Sequence, residues 1–381
     1  MLRFNIDFEK RIFGFDLLRA FAIFCVIHRH GRHLLNGTIL QGFPWLPLPH
    51  GVDIFFVLSG FLIGYSFIVN GDKNEGKITL SKSMNFWKRS AFRILPNYFL
   101  ILTINYILTS MEMLNGSIDK FSFLKFFTFT QNLFYPFYGF FWESWSLATQ
   151  EWFYLLFPIV LMTLGEKFKM KNVIPIVCIL FIVVSVFYRL GISGLIYDDF
   201  WWDVRIKKVA LSRFDCIYWG VLAAWVRFFL KEYWMKYAKI LFIVGVLLFV
   251  IIAKLPKEIH TVYYNVFYLS LVPIYIALWF PLIDQLKDIK TIIGKLITYF
   301  SILSYSMYLF NLLIIRLLDK HYSTAMSNNA TLKYVVYWLI TICLSYLLYM
   351  LFENPISVSG NKILKTTNMM YKRIDSAENN D

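Results

Sequence analysis

IFGFDLLRAFAIFCVIHRHGRH, residues 12–33, reads as an apolar helix of bilayer length that carries two groups a bilayer does not hold without cause, Arg19 and His30. They stand eleven positions apart. At about 100° and ~1.5 Å per residue, that spacing returns to nearly the same helix face, offset by ~20° and ~16 Å further along the axis. One face therefore presents a fixed cation near one membrane surface and an imidazole near the other. Ionisable side chains at membrane depth are expected to line a polar cavity in which they act. The plain alternative is a helix that starts and ends early and leaves both groups among lipid headgroups.

The rest of the chain has the same character. Of its 381 residues, 58% are hydrophobic and 20% aromatic, gathered mostly in runs of 17–23 residues, the length a helix needs to cross the hydrocarbon layer. The fold class this implies is an all-α, polytopic membrane bundle. Ten spans are expected, near 12–30, 51–70, 95–112, 146–165, 172–190, 213–231, 238–254, 262–284, 296–318 and 332–352. The net charge of +14 would suggest nucleic acid in a soluble protein, but here the basic residues fall between apolar runs, where topology signals belong, and a nucleic-acid partner is rejected. With a cytoplasmic N-terminus, the inner segments carry 22 Lys and Arg and the outer ones 8, which puts both termini in the cytoplasm. The four cysteines lie in or beside apolar runs with no paired spacing, so neither a disulfide framework nor a metal site is expected. No cleavable leader is expected, because the first apolar run follows a mixed-charge start and contains Arg19.

Residues 1–355 read as one membrane-embedded unit and 356–381 as a short polar cytoplasmic tail. The aromatic stretch FSFLKFFTFTQNLF, residues 121–134, is too short to span and is expected in the outer interface. Gly60 and Gly64, four apart in the second span, signal close helix packing. Sorted by this topology, His30, His33, Asp53, Ser146, Glu151, Arg213 and Asp215 lie near the outer ends of their spans. Asp16, Arg19, Lys88, Arg89, Arg93 and Glu353 lie near the inner ends. A basic inner mouth suits an anionic ligand such as a phosphate, which Arg holds with paired hydrogen bonds. The bland readings are topology signals for Lys88, Arg89 and Arg93, an interfacial ion pair for Glu151, and a helix N-cap for Asp53.

Seven segments, in order, resemble the type-3 membrane acyltransferases, bacterial enzymes that O-acylate surface and secreted glycans using acyl-coenzyme A. They are FDLLRAFAIFCVIHRH, GVDIFFVLSGFLI (51–63), FWKRSAFRILP, WSLATQEWFYLLFP (145–158), SRFDCIYWG (212–220), SYSMYLFN (304–311) and FENP (352–355). Two positions depart from the family's habit. Asn311 stands where His is common, so no proton-transfer role is assigned there. Ser90 stands three before Arg93, where Arg is common, with Arg89 beside it. Some members append a periplasmic hydrolase-like domain, which this chain is expected to lack.

The resemblance implies an acetyl-CoA-dependent O-acyltransferase of the inner (cytoplasmic) membrane, with no metal, acting on a hydroxyl of a cell-surface glycan or lipid-linked saccharide. Its catalytic residues would be His30, Glu151 and Asp53. His30 would be the general base, since imidazole titrates nearest working pH, with Glu151 or Asp53 orienting its ring. Arg19, Arg89 and Arg93 would bind the donor, Arg19 either holding the pantetheine or pyrophosphate arm or stabilising an oxyanion. His28 lies about 200° from His30 and off the face that bears Arg19, while His33 falls at or beyond the helix end. A glycan or acyl-carrier transporter or flippase is the main rival, since intramembrane charges also mark permeation paths. A structural membrane subunit without chemistry is a third reading.

Overall fold

The computed structural model describes residues 11–42, 47–72, 77–165, 168–287, 291–321 and 329–360, and these form helices joined by short connections, with no strand among them. In chain order the helices are α1 (Phe13–Gly31), α2 (Gly51–Asp72), α3 (Leu80–Ser110), α4 (Lys120–Leu124), α5 (Ser144–Gly165), α6 (Met170–Ile192), α7 (Asp199–Trp201), α8 (Phe214–Phe229), α9 (Lys231–Lys236), α10 (Ala238–Lys254), α11 (Tyr268–Ile283), α12 (Ile292–His321) and α13 (Ala330–Leu348). The tail from 361 lies outside the described residues. Residues 354–360 are helical, so order continues past position 355.

Among the described residues, seven helices are long and apolar enough to cross a membrane, and α8 with the bent segment before it makes an eighth. The other two expected spans are α1 and α10. The first holds three charged residues, Asp16, Arg19 and Arg29, and the second has 17 residues. The chain is a multi-pass membrane protein. Helix α3 begins well before the expected span at 95 and carries the basic segment FWKRSAFR within it. Thr79 starts it by accepting the Lys82 amide at 3.4 Å, and its charged first turns can remain solvated.

Close backbone approach organises the bundle. Helix α2 lies against α8, where a Cβ on Gly60 would stand 1.9 Å from the Ile217 carbonyl oxygen and one on Gly220 1.9 Å from that of Val57. Gly64 meets Val221 in the same seam, as the small-residue spacing predicts. Residues 121–134 depart from expectation. Only part of the stretch is exposed; Phe126 and Phe129 turn inward to join Tyr98, Phe140 and Phe141 in the core, and the Tyr98 hydroxyl donates to the Phe126 carbonyl at 3.0 Å. Aromatic rings bury more area than any other side chain, so a loop this rich in Phe folds into the bundle.

Helix α1 runs parallel to α12, and three polar contacts tie them. Ser301 donates to Asp16 at 2.7 Å, His30 meets Asn311 at 2.5 Å, and His33 meets Asp319 at 3.0 Å. On the other side of the bundle, the fully buried Arg189 is satisfied by Asp215 at 2.7 Å, Ser270 at 2.5 Å, and the carbonyls of Val266 and Ser212. A buried cation surrounded by acceptors in this way fixes α6 against α8 and α11.

Candidate active site

A cavity of about 610 Å³ opens among α1, α2, α3, α5, α12 and the chain after α13. This is within the ~300–1,000 Å³ typical of small-molecule sites. At one end stand Arg11, Arg19 and Arg93. Arg11 grips Asp16 with two bonds of 2.7 and 2.5 Å, Arg19 lies 3.7 Å from the same carboxylate, and Arg93 is exposed toward the opening. Arg11 and Arg19 thus share the Asp16 carboxylate. Glu353, held at its Oε2 by Asn97 at 2.9 Å and Ser306 at 2.6 Å, also lines this end. It sits where residues 349–353 form a π-turn, an irregularity that re-aims side chains toward a site.

Ser59, Gln150, Tyr305, Ser146 and Tyr308 also line the cavity. Ser146 and Tyr308 share a 2.6 Å hydroxyl bond, and Tyr308 donates to the Glu143 carbonyl at 3.0 Å. Glu143 is buried with no partner on its Oε1, and that burial pushes its carboxyl up to about 7. One turn beyond Tyr308, Asn311 is fully buried. Its amide nitrogen donates to the carbonyls of Met307 at 3.0 Å and Tyr308 at 2.6 Å, which leaves its oxygen as the acceptor facing His30 Nδ1. A neutral His30 in this contact carries its proton on Nδ1 and keeps the Nε2 lone pair free.

The nominated residues separate in space. Arg19 and Arg93 line the cavity together. Arg89, one turn further out on α3, is exposed and bonds back to the Asn85 carbonyl at 3.1 Å, so it does not join them. Asp53 does not reach His30. It lies in the first turn of α2, not at the cap, and is bound by the buried Arg213, whose guanidinium also lies 5.9 Å over Phe56. Glu151 does not reach His30 either; it lines a separate, largely apolar pocket of about 280 Å³ with Trp87, Leu95 and Trp152. The helix period explains this: Ser146 and Gln150 are four apart and share the cavity face, and Glu151 points ~100° away from Gln150. The side chain that meets the His30 ring is therefore Asn311 and neither carboxylate. His28 is buried against Phe24 and bonds Tyr334 at 2.8 Å, and His33 is half exposed.

The family model described as an acyltransferase domain matches residues 12–350. The chain belongs to the type-3 acyltransferase family. Its curated relatives include O-acetyltransferase OatA from Staphylococcus aureus strains NCTC 8325 / PS 47 and COL, each 28% identical over 378 residues, covering 92% of this chain and 58% of the relative. The chain thus spans somewhat over half the length of these relatives. No solved structure gives a significant match.

In this type-3 acyltransferase the departure at Asn311 gains a meaning that the sequence did not supply. A polar residue in the apolar run of α12 was the available signal, and it lacked a partner until α1 was placed alongside. Ser90 is buried and lines the smaller pocket, away from the guanidinium cluster. Arg11, which precedes α1, also lines the cavity beside Arg19 and Arg93.

Proposed function

We propose that the chain transfers an acetyl group from cytosolic acetyl-CoA to a hydroxyl of a cell-surface or lipid-linked glycan, from the inner membrane. The observation that supports this reading is one cavity lined by Arg11, Arg19 and Arg93 and by Tyr308, whose carbonyl accepts from Asn311, the residue that meets His30; neither Asn311 nor His30 itself lines the cavity. The guanidinium end suits the phosphates of coenzyme A, for which Arg forms charge-assisted, paired bonds. In the reaction the acceptor hydroxyl oxygen attacks the thioester carbonyl while His30 Nε2 takes its proton. The intermediate then collapses, the C–S bond breaks, and the thiolate takes a proton as coenzyme A leaves. Asn311 is the positioning residue, holding the imidazole as the Nδ1–H tautomer much as a carboxylate does in a hydrolase triad. The names of the Staphylococcus relatives, O-acetyltransferases, support the choice of acetyl.

The test is acetyl transfer by purified protein in detergent, with coenzyme A binding measured separately. His30→Ala should lose about 10²–10⁴-fold in turnover, the usual worth of a general base, while coenzyme A binding persists. Asn311→Ala should lose a smaller part of that, in kcat and not in donor KM. A wild-type protein that binds coenzyme A but moves a saccharide across vesicles without consuming acetyl-CoA would establish the transporter reading instead.

A further inference from the structure

Several hydroxyls that line the large cavity have one fixed use for their proton. Ser301 gives it to Asp16 at 2.7 Å, Ser304 to the Ser301 carbonyl at 2.7 Å, and Tyr305 to the Ile94 carbonyl at 2.9 Å. Ser146 and Tyr308, which line the same cavity, differ. Their oxygens stand 2.6 Å apart, and both reach one acceptor, the Glu143 carbonyl, at 3.2 and 3.0 Å. A hydroxyl has one proton to donate. The pair therefore has two closed arrangements: Tyr308 donates to the carbonyl and Ser146 to Tyr308, or Ser146 donates to the carbonyl and Tyr308 to Ser146. In either, one proton is spent only between the two hydroxyls.

Opening that bond strands nothing. The hydroxyl that loses it still donates to the Glu143 carbonyl, and the other is free to turn into the cavity. Glu143 immediately precedes α5, so its carbonyl already accepts the first bond of the helix as well. The backbone is bent to place it there. Phe141 holds a φ of 37°, in the left-handed region that a bulky side chain rarely adopts, and the Ser144 amide donates to its carbonyl at 3.1 Å, closing the turn that brings Glu143 to the pair. Ser146 and Leu147 fall in the first turn of α5 and line the cavity, so the positive end of that helix faces it too. Tyr308 is also the cavity residue whose carbonyl accepts from Asn311, which meets His30.

We propose that the Ser146–Tyr308 pair is the oxyanion donor of the transfer step, an inference that rests on the acyl-transfer reading. As the acceptor oxygen attacks, the π electrons of the thioester carbonyl move onto its oxygen. One hydroxyl turns from its partner to that oxygen and holds it until the C–S bond breaks and the carbonyl re-forms; both hydroxyls keep their protons throughout. Donors already in place meet developing charge without the reorganisation that water would need.

The test uses the full chain in detergent. Infrared difference spectra follow the carbonyl band of acetyl-CoA isotopically labelled at its thioester carbon, and release of the coenzyme A thiol is timed with chitotetraose and with water alone as acceptor. In the wild type the bound carbonyl should absorb at lower frequency than in Ser146→Ala/Tyr308→Phe, because a hydrogen bond to the oxygen weakens the C=O bond. The same variant should lose about 10²–10³-fold in kcat, the usual worth of an oxyanion donor, with donor KM near wild type. A pair that only ties α5 to α12 would change the melting temperature and neither of these. Retained coenzyme A binding shows that the variant is folded; where it is lost, the two single variants carry the test, each expected about tenfold down in kcat, roughly the worth of one hydrogen bond. Tyr188→Phe, which removes a 2.6 Å hydroxyl-to-carbonyl bond to Phe134 outside the cavity, should alter neither reading. Wild-type kcat in the folded variants, an unmoved carbonyl band in the double variant, or an equal loss in Tyr188→Phe overturns the proposal and leaves acyl transfer standing. A wild type that neither binds acetyl-CoA nor releases its thiol overturns the acyl-transfer reading itself.

Discussion

At the scale of the residue, three imidazoles within HRHGRH have three different environments, and each environment predicts a different defect. His30 meets Asn311, and its replacement should remove turnover. His28 is buried between Phe24 and Tyr334, so His28→Ala should cost about 1–3 kcal/mol of stability through a lost hydrogen bond and leave kcat unchanged in the protein that folds. His33 and Asp319 are a half-exposed pair, and His33→Ala should cost no more than ~1 kcal/mol. Acetyl transfer at matched membrane abundance, with thermal melts alongside, separates these outcomes. The two basic residues of α3 divide similarly. Arg93→Ala should raise the donor KM more than it lowers kcat, the mark of lost ground-state binding, and Arg89→Ala should leave both near wild type. Equal effects at the two positions would mean that the cavity is not the donor site. Glu143 supplies a pH signature. With its carboxyl raised from 4.5 to about 7 by burial, the folded state favours the protonated form. Its contribution is therefore complete below the unfolded value and declines as pH rises toward 7, by at most about 1.4 kcal/mol per pH unit. Thermal stability should fall across that window in the wild type, and that component should vanish in Glu143→Gln.

At the scale of the element, the α2–α8 seam is where one added methyl has nowhere to go. Gly60→Ala would place its Cβ 1.9 Å from a backbone oxygen, so the helices must part. Overpacking of this kind costs about 1–3 kcal/mol, and it should appear as a lower melting temperature with unchanged coenzyme A affinity. A wild-type melt for this variant would show that the seam is looser than the structure has it. The same seam holds Asp53. It ties the first turn of α2 to Arg213 at the start of α8, so its position is set by helix packing and not by the reacting groups.

At the scale of the whole molecule, the charge bias of 22 against 8 predicts orientation. A reporter fused after Asp381 should be active only in the cytoplasm, and a cysteine placed at Lys120 should be labelled by impermeant reagents only from outside. The reverse pattern would exchange the donor and acceptor sides of the cavity. The parallel run of α1 and α12 fits an arrangement in which both carry the chain outward, from Arg11 and Ser301 at one surface to His33 and Asp319 at the other.

The sequence by itself determined the all-α membrane bundle, the places of its helices and the family, because apolar run length and ordered motifs are local properties that survive without knowledge of contacts. Arg19 and His30 stood out in the sequence as ionisable groups placed where a bilayer makes them expensive, and Arg93 as part of a basic segment before the third span. Pairing was not legible. Whether Asp53 meets His30 or Arg213, whether Glu151 faces the large cavity or the small one, and whether Asn311 or a carboxylate orients the imidazole depend on which helices are neighbours and how each is rotated. A rotation of ~100°, one residue's worth of helix, is enough to put Gln150 on the large cavity and Glu151 on the small pocket. Only the tertiary structure fixes that rotation, through contacts between residues as far apart in the chain as His30 and Asn311.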